Sequence, residues 1–150
     1  MNAARLRTAW LASAAASGGI TAGIVLYTVL VEVLASRGYR GPLAQLGAGP
    51  FKYAFYALGA LALPAVRLAG RKLAAKLPTP EETIRALTVT SVVRAAVSEL
   101  PAIAGLLLFL LAGLRADFYM LAVFALALEI YHFPRLGAWE EKVRGDFGQL

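Results

Sequence analysis

The chain has 150 residues, 59% of them hydrophobic and only 16% charged, with a mean hydropathy of +0.66. Soluble domains average about 25% charged residues, so this composition excludes a disordered chain and an ordinary water-soluble enzyme and indicates an integral membrane protein. The absence of cysteine and the presence of one histidine exclude thiol chemistry and a His-rich metal site. The formal charge of +6 has its explanation in loop topology, so no nucleic-acid partner is expected.

A spanning helix needs roughly 20 mostly apolar residues, and four segments meet that requirement. The first covers 9–34, preceded by Arg5 and Arg7. Ala12-Ser13-Ala14 resembles a signal cleavage site, but the apolar run continues about 20 residues beyond it, so the segment is read as a retained anchor. Gly19-Ile20-Thr21-Ala22-Gly23 has the spacing that lets two helix backbones approach, within the chain or between chains. Trp10 and Tyr27 read as interface residues, and Glu32 lies within a turn of the far end, where it can snorkel to water. Arg37-Gly38-Tyr39-Arg40-Gly41-Pro42 breaks the chain before the second span, 53–69. Arg71 and Lys72 through Pro78-Thr79-Pro80-Glu81 form the next break, and the third span follows at 88–113. The short turn Gly113-Leu114-Arg115-Ala116-Asp117 leads into the fourth span, 118–133. Pro134 ends it, and the tail 134–150 reads as an amphipathic interfacial segment, with Trp139 at headgroup depth and Glu140, Glu141, Lys142 and Arg144 toward water.

The expected architecture is all-α: one polytopic integral membrane domain over 1–150, with four transmembrane helices arranged as two helical hairpins. Ten of the fifteen Lys and Arg residues fall in the N-terminus, the middle loop and the tail, four fall on the opposite side, and Arg94 lies within the third span. The positive-inside rule then makes both termini cytoplasmic, in a multi-pass inner-membrane protein.

Ionisable residues inside a span are costly and are functional candidates for that reason. Glu99 stands about 11 residues into the third span, roughly 16 Å deep. If the turn is centred between Arg115 and Ala116, Glu99 is level with His132, and Ala102 with Glu129. Glu99, Glu129 and His132 therefore form a candidate polar cluster, with Arg94 nearer the cytoplasmic face as a partner or an anchor. Ala95, Ala102 and Gly105 follow on the Glu99 helix at helical spacing, small enough for close packing against another helix. Pro101 removes one helical hydrogen bond beside Glu99.

The segment Ser98-Glu99-Leu100-Pro101-Ala102-Ile103-Ala104-Gly105-Leu106, with the apolar run that follows it, resembles the carboxylate helix of rotary ATP synthase c subunits, the ion-carrying proteolipids. Leu77-Pro78-Thr79-Pro80-Glu81-Glu82-Thr83-Ile84-Arg85 is similar to the polar loop that precedes that helix. The resemblance covers about 35 residues and implies that Glu99 is an ion-binding carboxylate for a proton or a sodium ion. The second span departs from the pattern: it carries one glycine, Gly59, where the c-subunit partner helix carries a dense run.

Three functions follow: a c-subunit-like protein that binds a proton or sodium ion; a structural, assembly or accessory subunit of a membrane complex; and an intramembrane acid-base enzyme, the weakest because no nucleophile motif or phosphate loop accompanies the carboxylates. Membrane lipid and a homo-oligomer or larger complex are the expected partners. No metal and no other cofactor is expected.

Overall fold

A computed structural model describes residues 3–44, 49–71 and 77–148. Lys72 to Lys76, in the expected middle loop, lie outside these, as do the four residues at the chain ends. The described residues form six helices and no strand: α1 (Ala3–Ser36), α2 (Gly49–Ala60), α3 (Ala62–Arg71), α4 (Pro80–Ala112), α5 (Arg115–His132) and α6 (Leu136–Phe147). Two of them, α1 and α4, are long and apolar enough to cross a membrane, and a third span results if α5 and α6, bent by 43° at their junction, are taken together. At 34 and 33 residues, α1 and α4 are each about 50 Å long, more than the roughly 30 Å of a hydrocarbon core.

The expected second span is divided in two. Pro64 has no N–H to give to the Ala60 carbonyl, and the helix stops there: Leu61 still bonds back to Ala57, and Ala65 bonds to Leu61. Neither α2 nor α3 has the length of a span by itself.

Helix α4 lies at the centre and packs against each of the other five helices. Half of its apolar window is buried, against 11% for α1, so α1 is a peripheral helix whose outer side presents Leu11, Val25, Leu26 and Val29. The buried face of α4 carries small residues, including Ala95, Ser98, Ala102 and Gly105. A Cβ on Gly105 would stand 3.0 to 3.1 Å from the Leu121 side chain and the Phe118 backbone, so this glycine sets how closely α5 approaches. Ile24, Val31, Ala102, Phe109, Phe118, Ala122 and Ala125 form the main core between α1, α4 and α5.

Both ends of α4 are closed by local chemistry. Thr79 is the N-cap, its hydroxyl accepting from the Glu82 N–H at 3.3 Å, and Pro80 occupies the first turn, where a missing N–H costs nothing. Gly113 ends the helix in the left-handed conformation at φ 74° and returns its N–H to the Phe109 carbonyl. The loop after α1 folds over this end: Leu43 donates to the Leu111 carbonyl at 2.8 Å and the Tyr39 hydroxyl to that of Leu110 at 2.8 Å. Gly41 lies so close to the Leu111 backbone that a Cβ would come within 2.4 Å of its carbonyl oxygen.

At the opposite end α6 closes the bundle. Leu6 of α1 and Trp139 and Val143 of α6 form a second apolar cluster with Trp10, Ile84 and Leu87 beside it. Trp10, expected to be an interface residue, donates its indole N–H to the Pro134 carbonyl at 2.9 Å.

Candidate functional site: interior carboxylates between α1, α4 and α5

Glu99 projects from the middle of α4, and its Oε1 accepts a 2.7 Å hydrogen bond from the Tyr27 hydroxyl of α1. Gly23, one turn before Tyr27, makes room for it: a Cβ there would meet the same carboxylate oxygen at 3.3 Å. Gly19 faces open space, with nothing within 4 Å of a Cβ. The two glycines of the Gly-x-x-x-Gly motif thus have different surroundings. One opens α1 to a carboxylate of α4, and the other lies on the outer side.

Glu129 of α5 is the second carboxylate. It is 3% exposed, and neither of its oxygens has a hydrogen-bond donor. It lies within electrostatic reach of Glu99. Ser98, next to Glu99 on α4, is fully buried, and its hydroxyl also lacks a partner. Leaving buried polar atoms unpaired costs about 1–3 kcal/mol each, and more for charged groups. Glu99 with its Tyr27 partner, Glu129 within electrostatic reach of Glu99, and separately the buried Ser98 hydroxyl thus put polar oxygens inside an apolar bundle, with Tyr27 as the one described donor to either of these carboxylates.

Arg94 and His132 are placed elsewhere. His132 Nδ1 stands 2.8 Å from the Leu128 carbonyl of its own helix, which occupies that nitrogen. The Arg94 Nε is buried without a partner, and both residues line a cavity nearer α6. Among the described residues neither forms a salt bridge with Glu99 or Glu129. The expected cluster and its candidate partner Arg94 are thus divided between two places, Glu99 and Glu129 in one and Arg94 and His132 in the other.

The remaining acids are paired at the far end of the bundle. Glu32 takes a bidentate contact from Arg115, with 2.6 Å to each carboxylate oxygen, and a hydrogen bond from Tyr119. Asp117, buried at the start of α5, is 2.6 Å from Lys52 Nζ and accepts from the Tyr56 hydroxyl at 2.8 Å. Burial pushes the Asp117 carboxyl up, but the Lys52 and Tyr56 hydrogen bonds and the Lys52 charge outweigh it and hold it below the usual value. Lys52 is correspondingly raised by its hydrogen bond to Asp117.

Sequence reasoning missed Tyr27 as a partner of Glu99. Its spacing of four from Gly23 was the available signal, because those two positions share a helix face. Compared with known proteins, the chain matches no family model, no curated protein and no solved structure.

Proposed function

We propose that this membrane protein binds a proton or a sodium ion at Glu99 and Glu129. The observation that carries the reading is Glu129: a carboxylate 3% exposed, with no donor to either oxygen among the described residues, and within electrostatic reach of a second carboxylate. Charged carboxylates without donors in apolar surroundings are strongly disfavoured, and a bound cation relieves both at once. The Tyr27 hydroxyl adds an oxygen at Glu99. Glu99 is also the residue on which the resemblance to c-subunit proteolipids rests, and an ion-binding carboxylate is what that resemblance implies.

The topology belonging to this proposal has four crossings as two hairpins, the second crossing made by α2 and α3 together and the fourth by α5. Both termini are cytoplasmic, and the membrane is the inner one. Lipid and further copies or a larger complex cover the outer side of α1, where Leu26 is 66% exposed and Gly18 and Gly19 meet no neighbour. A second reading, an accessory subunit without ion transport, draws support from the Tyr27–Glu99 bond, which ties α1 to α4 whether or not an ion is bound.

Carbodiimide labelling of the purified protein in detergent, located by peptide mass spectrometry, separates the two, since such reagents modify protonated carboxyls in apolar sites. Ion binding predicts modification of Glu99 or Glu129 that falls as pH rises or sodium is added. Labelling absent at every pH with the fold intact, or indifferent to both pH and sodium, would leave the accessory role as the better account.

A further inference from the structure

We propose that the cavity between α3, α5 and α6 binds the phosphate headgroup of an anionic phospholipid. Helices α3 and α5 each pack on α4 and leave between them a cavity of about 1140 Å³. Three arginines line it from separate elements, Arg67 from α3, Arg94 from α4 and Arg135 from the link to α6, and His132 lines it from the end of α5. No acidic residue is among the described residues that line it. The three arginines form no salt bridge with a described carboxylate, in contrast to Arg115 and Lys52 at the other end.

Arg94 is the most telling of these. Its Nε is buried and has no acceptor among the described residues, although a guanidinium is a rigid set of donors suited to two oxygens of one phosphate. The walls between the cations are apolar, from Leu63, Val66 and Leu128. The volume lies above the range for small-molecule sites, about 300–1,000 Å³, and is far larger than a free phosphate requires. Arginines together with apolar lining residues therefore fit a headgroup with the start of its acyl chains. Basic pockets between membrane helices suit anionic headgroups for the same electrostatic reason.

The test is native mass spectrometry of the full-length protein in detergent, with dioleoylphosphatidylglycerol and dioleoylphosphatidylcholine added in equal amounts. The wild type is expected to retain phosphatidylglycerol over phosphatidylcholine by about tenfold. The combined Arg67→Gln, Arg94→Gln and Arg135→Gln variant should lose that preference, whereas Arg37→Gln with Arg40→Gln, exposed residues at the opposite end, should keep it. Equal retention of the two lipids, an unchanged preference in the triple variant, or displacement of phosphatidylglycerol by millimolar inorganic phosphate would each overturn the proposal, the last by making the site one for free anions. A wild-type measurement covers the case in which the triple variant fails to fold. Photoactivatable phosphatidylglycerol should cross-link to peptides containing Arg67 or Arg135, and labelling confined to α1 would contradict the assignment.

Discussion

At the end of the bundle away from the termini, charged side chains meet partners from other helices: Glu32 with Arg115 and Tyr119, Asp117 with Lys52 and Tyr56. Between α1, α4 and α5 they do not. Glu129 has no donor and Glu99 has the Tyr27 hydroxyl, and the buried Arg94 Nε on α4 has no acceptor among the described residues. Ion pairs near water are cheap to form and hold loops and helix ends in place. Unpaired charges at depth carry a continuing cost; in the two proposals above a cation offsets it for the carboxylates and an anion for the arginines.

The contrast predicts opposite signs for carboxylate removal in the two regions. Asp117→Ala should cost about 2 kcal/mol, since it leaves the Tyr56 hydroxyl and the Lys52 ammonium without their acceptor; chemical unfolding in detergent would measure this. Tyr27→Phe should cost about 1 kcal/mol in the same assay, because Glu99 loses its donor. Glu129→Leu should cost nothing or stabilise by up to about 1 kcal/mol, as expected when an unpartnered buried polar group is replaced by an apolar one of similar size. A loss of several kcal/mol there would show that Glu129 has a partner and would end the comparison. Glu32→Gln should have the smallest effect, visible at low salt and gone at high salt, because the pair is exposed.

Acid sharpens the same contrast. Asp117 has a lowered pKa in the folded protein, so its contribution is present above the ordinary carboxylate value and is lost as pH falls through the depressed one. Melting temperature recorded in detergent from about pH 6 down to about pH 3 should fall for the wild type. The Asp117→Ala variant should lack that part of the loss.

Much of the helical content is legible in the sequence, since apolar length and turn residues determine it. Thr79-Pro80-Glu81-Glu82 marks the start of α4 and Gly113 its end. The broken second span was less so: a proline can end a helix or sit within one, as Pro64 does the first between α2 and α3 and Pro101 the second inside α4. The depth of Glu99 and Glu129 follows from counting residues, and the structure brings the two within electrostatic reach. Which side chains face one another does not follow, because depth says nothing about how each helix is rotated about its axis. Hence His132, level with Glu99 by register, bonds to its own helix, and Tyr27 reaches Glu99 instead. The cationic cavity was illegible for the same reason, as it requires α3 and α5 to stand apart across α4.

The most direct test is infrared difference spectroscopy of the protein in lipid, comparing wild type with Glu129→Gln and Glu99→Gln across pH and sodium concentration. A cation-binding site predicts a protonated-carboxyl band that shifts in heavy water, responds to pH or sodium, and disappears in one of the two variants. A carboxyl spectrum unchanged by pH, sodium and both substitutions would contradict the claim that these interior carboxylates hold an exchangeable ion.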